Sequence, residues 1–150
     1  MTVRRYGDPR AFRRALIDRL KAAARTRGMP LQELQRRFVL ECFLARVFAL
    51  PGERWLLKGG TGLAVRLTGA RHSRDLDLCN TAADRELSSC IAELVNVGRA
   101  GDRDPFVFEI NRRSALTGVT EGAQLTVTVR LGAQEFDKFP IDLTTGLTFV

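Results

Sequence analysis

Apolar residues recur at helical spacing through the first third of the chain. Phe12, Leu16, Ile17, Leu20 and Ala24 share one face, while Arg10, Arg14, Lys21 and Arg25 fall on another stripe with Asp18 between them. Asp8-Pro9 supplies an N-cap followed by a helix-starting proline, and Gly28 supplies the stop. Pro30 opens a second helix with Leu31, Leu34, Phe38, Cys42 and Ala45 on one face. From Phe38 to Leu50 only Glu41 and Arg46 carry charge, so this stretch reads as the central buried helix. Pro51-Gly52 breaks the pattern.

Beyond that break the period changes. Trp55-Leu56-Leu57 reads as a short strand, Gly59-Gly60 as a turn, and residues 61–67 as a short helix. Residues 75–79 form a strand with carboxylates at alternate positions. Residues 82–97 are helical, with Leu87, Ile91, Leu94 and Val95 inward, and residues 98–105 make a loop. The last third turns to strands. Phe106, Phe108 and Ile110 alternate, and Leu125, Val127, Val129 and Leu131 alternate against Thr126, Thr128 and Arg130. A final run buries Phe139, Ile141 and Leu143 and turns Lys138, Pro140 and Asp142 outward; Pro140 calls for an edge strand or a bulge. The expected architecture is α+β: an N-terminal helical segment, residues 1–50, packed on a core of residues 51–150 that has a mixed sheet and flanking helices.

Composition adds limits to this picture. Apolar content of 45% and charged content of 27% are those of a globular domain rather than a disordered chain. No stretch is long and apolar enough to span a bilayer, and no signal-peptide core follows Met1-Thr2-Val3-Arg4-Arg5, so a cytoplasmic protein with no membrane partner is expected. Cys42, Cys79 and Cys90 are widely spaced with only His72 to assist them, which favours buried thiols over a zinc site or a disulfide framework. Residues 1–50 hold 12 Lys/Arg against 4 Asp/Glu, whereas residues 51–150 hold 12 against 13. All the excess positive charge therefore sits at the front, either as a dock for a polyanion or as a solvated helix surface.

Three groups of residues carry candidate chemistry. In a strand, Asp75 and Asp77 project to one face while Leu76 and Leu78 bury. Carboxylates this close repel unless a cation lies between them, and Mg²⁺ suits a site that offers a few carboxylates and leaves room for water and phosphate. Lys58-Gly59-Gly60-Thr61 follows an apolar strand and opens a helix, an arrangement that can cradle an anion or serve only as a tight turn. Asp142, flanked by apolar residues and facing away from them, can complete a two-metal site from a neighbouring strand or can simply cap a strand end.

The combination resembles the DNA polymerase beta-type nucleotidyltransferase superfamily, whose signature is a Gly-Gly/Ser turn followed by Asp-x-Asp/Glu. More narrowly, residues 57–63 with residues 71–78 resemble the AbiEii/MenT toxin family, and the resemblance covers roughly residues 55–145. It implies a polymerase beta-like core. It also implies a Mg²⁺-dependent toxin of a toxin–antitoxin system that transfers a nucleotide from a nucleoside triphosphate to the 3′ end of tRNA. A cognate antitoxin would be its protein partner. Gly59, Gly60 and Thr61 match the phosphate-binding motif, and Asp75 and Asp77 match the metal-binding pair. Ser73 matches a hydroxyl residue two positions before the first aspartate, which touches the nucleotide or takes an inhibitory modification; Arg71 and Arg74 are phosphate-binding candidates. The family continues into a C-terminal helical half with a lysine motif and a later Lys-Asp motif. Neither is found here, so residues 51–150 are expected to lack that half.

Two readings follow. In the first, Asp75, Asp77 and Asp142 are catalytic metal ligands, Lys58 to Thr61 with Arg71 and Ser73 hold the nucleotide, and the basic first helix or Arg112-Arg113 grips RNA. In the second, the chain is a catalytically impaired or truncated nucleotidyltransferase fold that binds RNA or antitoxin. An enzyme acting on a protein hydroxyl or a small aminoglycoside-like acceptor is a further variant, since fold does not choose the acceptor.

Overall fold

The computed structural model describes residues 8–52, 54–57, 76–81, 86–99, 104–115 and 122–145. Helices α1 (Pro9–Arg27) and α2 (Leu31–Phe48) come first. Strands β1 (Trp55–Leu57) and β2 (Leu76–Asn80), helix α3 (Leu87–Arg99) and strands β3 (Phe106–Ala115), β4 (Gly122–Leu131) and β5 (Gln134–Thr145) follow. The strands make one sheet in the order β1-β2-β5-β4-β3. β2 runs parallel to β5 and the other neighbours are antiparallel, so the expected mixed sheet with flanking helices is what forms.

The ends of α1 follow from local chemistry. The Asp8 carboxylate accepts the Ala11 N–H at 2.8 Å, and Gly28 takes a left-handed φ of 65° that a side chain would resist. The three described helices lie on one face of the sheet. Phe12 of α1 meets Phe106 edge-on at 5.7 Å, and Phe43 of α2 meets Phe108 at 5.2 Å and Phe139 at 5.8 Å. α3 comes so close to β3 that a Cβ on Gly98 would stand 2.2 Å from the Phe108 carbonyl oxygen. Phe106, Phe108, Leu125, Val127, Val129, Phe139, Ile141 and Leu143 are all buried.

Several expectations need correction. α3 continues through Gly98 to Arg99 instead of ending before a loop, since that glycine serves helix–strand contact rather than termination. Its buried positions are Leu87, Cys90, Leu94 and Gly98, while Val95 is only half-buried. On α2 the buried set is Leu34, Val39, Phe43, Leu44, Arg46 and Val47. The inward face is thus rotated from the expected Phe38–Cys42–Ala45 line, because α2 packs on the sheet through Phe43 and also borders α1 and α3. Glu41 and Phe48 are exposed, so this helix is not buried all round.

Arg46 is the unexpected core residue. Its Nη2 donates to Asp104 Oδ1 and to the Phe106 carbonyl, both at 2.6 Å. Its Nη1 donates to the Val97 and Gly98 carbonyls at 3.1 and 3.3 Å, and the guanidinium lies 4.7 Å from the Phe108 ring centroid. One side chain of α2 therefore closes the C-terminal carbonyls of α3 and fixes the entry to β3.

Pro140 lies in the third of five strands, neither on an edge strand nor at the register shift, which falls beside Val129 and Arg130. Its neighbours explain why it is tolerated. The Lys138 carbonyl accepts from Arg36 and the Lys138 N–H binds the Asp137 carboxylate, so both groups point away from β4. By alternation the missing N–H of Pro140 points the same way, towards the side where described pairing with β2 begins only at Ile141. α2 covers that stretch of β5: Gln35 donates to the Phe136 carbonyl at 2.9 Å, and Arg36 grips Asp137 with two bonds of 3.0 Å.

Candidate active site

Within β2, Leu76 and Leu78 are buried and Asp77 between them is half-buried. Within β5, Ile141 and Leu143 are buried and Asp142 between them is half-buried. The parallel register sets Leu76 beside Ile141, Asp77 beside Asp142 and Leu78 beside Leu143. Strands in a sheet lie about 4.8 Å apart, and partners in a parallel pair leave the sheet on the same face. The leucines and isoleucine point into the helical layer, so Asp77 and Asp142 stand side by side on the other face. The expected place of Asp142 is a strand neighbouring the Asp-x-Asp strand, and β5 pairs with β2.

The row continues across the sheet. Asp142 is also the register partner of Gln124 in β4, giving Asp77–Asp142–Gln124 over three strands. Gln124 escaped the sequence reading, although it lies one step before Thr126, Thr128 and Arg130 in the same alternation. Thr126 pairs with Pro140, Thr128 with Lys138, and Arg130 binds Glu109. Along β4 this face is polar and the opposite face is the core, while on β2 the same face also carries the buried Cys79.

Two adjacent carboxylates on a polar surface suit a hard divalent cation, which takes oxygen donors and keeps part of its shell for water and phosphate. Asp77 and Asp142 offer the kind of donor that Mg²⁺ takes. Asp75, the third expected ligand, lies outside the described residues, as do Lys58, Gly59, Gly60, Thr61, Arg71, Ser73 and Arg74. Among the described residues, no cluster of three or more His, Cys, Asp or Glu is placed to hold a metal. The cysteines form no disulfide. Burial, reinforced by the Asp104 charge, pushes the Cys42 thiol up to about 12, which makes it a poor nucleophile and a poor metal ligand. Among the described residues no helix is long and apolar enough to cross a membrane.

A comparison with curated proteins finds no match. The family model described as nucleotidyl transferase AbiEii toxin, Type IV TA system, matches residues 42–149. That span runs from the second half of α2 through the whole sheet and includes both aspartates of the paired row. A match over most of the chain, on a mixed sheet with helices on one face and paired aspartates on the other, places this nucleotidyltransferase in the AbiEii toxin family.

Proposed function

We propose that the chain transfers a nucleotide from a nucleoside triphosphate to the 3′ end of RNA, tRNA foremost, in a Mg²⁺-dependent reaction. It would act in the cytoplasm as the toxin of a toxin–antitoxin pair, with a cognate antitoxin as its protein partner. The observation that carries this reading is the register of Asp77 with Asp142 on the sheet face away from the helices. A family match supports the enzyme class, and the paired acids support the metal dependence.

Asp77 and Asp142, with Asp75 as the third ligand, would hold the metal. Bound Mg²⁺ supplies positive charge to the phosphates and to the attacking and leaving oxygens. Lys58 and the Gly59–Thr61 turn hold the triphosphate, with Arg71 adding charge and Ser73 a hydroxyl contact to the nucleotide. The terminal RNA hydroxyl gives up its proton to solvent and attacks the α-phosphorus, the bond from that phosphorus to the bridging oxygen breaks, and pyrophosphate leaves. Gln124 lies beside Asp142 with an amide that can donate to a carboxylate or a phosphate oxygen, which steadies the acid without adding charge.

Incubating the protein with each labelled nucleoside triphosphate and total RNA tests the reading. Wild type should label an RNA fraction only when Mg²⁺ is present, and both Asp77→Asn and Asp142→Asn should reduce labelling to background. Undiminished labelling by Asp142→Asn would remove the paired-acid mechanism. Label in a protein or small-molecule fraction alone would replace RNA as the acceptor.

A further inference from the structure

The excess positive charge of the first third has a defined place. Arg10, Arg14, Lys21 and Arg25 of α1 are all exposed. Their spacing puts them within about 60° of one another around the helix and along roughly 22 Å of its axis. Among the described residues no salt bridge involves any of the four, and Asp18, which lies between them, also makes none. Arg36 and Arg37 of α2 differ in this respect, being held by Asp137 and Glu33. Arg13 is also occupied, donating to Gln134 at 3.2 Å and covering the Phe136 ring.

Helix physics does not ask for this pattern. Arg10 and Arg14, and Lys21 and Arg25, are like charges four residues apart; the Asp8 cap already answers the positive end of the helix dipole and the negative end favours Arg25, but neither asks for Arg10, Arg14 or a Lys21–Arg25 pair. The other exposed residues of the helix, Asp18, Arg19, Ala22, Thr26 and Arg27, include no large apolar side chain. Protein interfaces use Arg too, but set it beside aromatic and Met anchors in their core and are poor in Lys. The exposed large apolar residues among those described, Phe48 and Leu56, lie on α2 and β1 instead. A bare row of cations at helical intervals is the surface that phosphodiester backbones take.

The row is also remote from the paired acids. α1 sits on the helical face and begins over the β4–β5 hairpin, where Pro9 lies against Gly132. From Gln134 beside that hairpin, β5 runs for roughly 26 Å to Asp142, whose side chain leaves the opposite face. A triphosphate at Asp77 and Asp142 cannot touch α1, whereas a polymer can touch both.

We infer that the Arg10–Arg14–Lys21–Arg25 face of α1 is a docking surface for the phosphodiester backbone of RNA, separate from the carboxylate face. The polyanion follows from the charge pattern; its being RNA rests on the acceptor proposed above. α1 anchors the body of the nucleic acid, so it governs RNA affinity and KM and leaves the bond-making step alone.

The test is binding of a fluorescent RNA hairpin, without nucleotide and in EDTA, over a salt series. Arg10→Gln/Arg14→Gln/Lys21→Gln/Arg25→Gln should lower affinity at least about tenfold and flatten the slope of log K against log salt by about 3, near 0.7–0.9 per lost phosphate contact. Arg14→Glu alone should lower affinity in the same direction. KM for RNA should rise with Kd while kcat stays unchanged at saturating RNA. Equal affinity and slope for wild type and the fourfold variant would overturn the inference. So would a wild type that ignores RNA but binds polyglutamate through these residues, which would give the row to an acidic protein. Asp142→Asn separates the two proposals: it should lose transfer and keep hairpin binding, and transfer surviving in it would sink the carboxylate mechanism while leaving the docking result intact.

Discussion

A thiol is a sensitive reporter of its surroundings. Cys42 is pushed up to about 12, chiefly because burial penalises the thiolate and secondly because Asp104 lies near, with Arg46 opposing. The thiol titrates near 9 in the unfolded chain, so below that value both states are protonated and the contribution to stability is complete. Between about 9 and 12 the unfolded state alone sheds the proton, so stability falls as pH rises. The urea midpoint should therefore drop across that window, and Cys42→Ala should make the drop smaller; an unchanged pH profile in that variant would refute the assignment. At this scale the sequence is informative where alternation speaks. Asp142 between Ile141 and Leu143 could only face away from the core, and does. It is silent about Arg46. One charge in an apolar run normally reaches for water, and nothing local announces that Asp104 and three backbone carbonyls will meet it.

Elements are legible where their own residues define them. The N-cap at Asp8 and the stop at Gly28 are local signals, and α1 obeys both. α3 runs past Gly98 because the same residue type answers a different need, close approach to Phe108. Pro140 shows the same limit, since its tolerance depends on which neighbour lies on each side of β5. The junction of α2, α3 and β3 rests on the Arg46–Asp104 pair, whose two side chains are both largely buried. Removing one partner strands the other charge, so Arg46→Ala should cost about 3–5 kcal/mol. Arg46→Met/Asp104→Leu should recover more than half of that loss, because an apolar pair of similar size leaves no charge behind. Urea unfolding of the two variants decides it. A double variant no better than Arg46→Ala would mean that the carbonyl bonds, not the ion pair, hold the junction.

The whole molecule divides its work between two sheet faces. The described helices and the core occupy one, and the acid row Asp77–Asp142–Gln124 occupies the other. The order β1-β2-β5-β4-β3 creates that row by inserting the last strand between β2 and β4. Sequence alternation shows which way each acid faces, but not that strands more than sixty residues apart lie side by side, because parallel pairing leaves no local signature. Separate faces predict separable effects. Asp77→Asn removes a charge outside the helical layer, so in EDTA its stability should stay within about 1 kcal/mol of wild type. A ligand that binds only the folded state raises stability by RT ln(1 + [L]/Kd), about 2.7 kcal/mol at a hundredfold excess over Kd. Mg²⁺ with a nucleoside triphosphate should therefore raise the wild-type melting temperature and leave that of Asp77→Asn nearly unmoved. If both proteins rise equally, the cation binds elsewhere, and the acid row is a structural feature of the sheet. If Asp77→Asn already melts several degrees lower in EDTA, the two faces are not independent, and loss of transfer in that variant reports folding rather than chemistry.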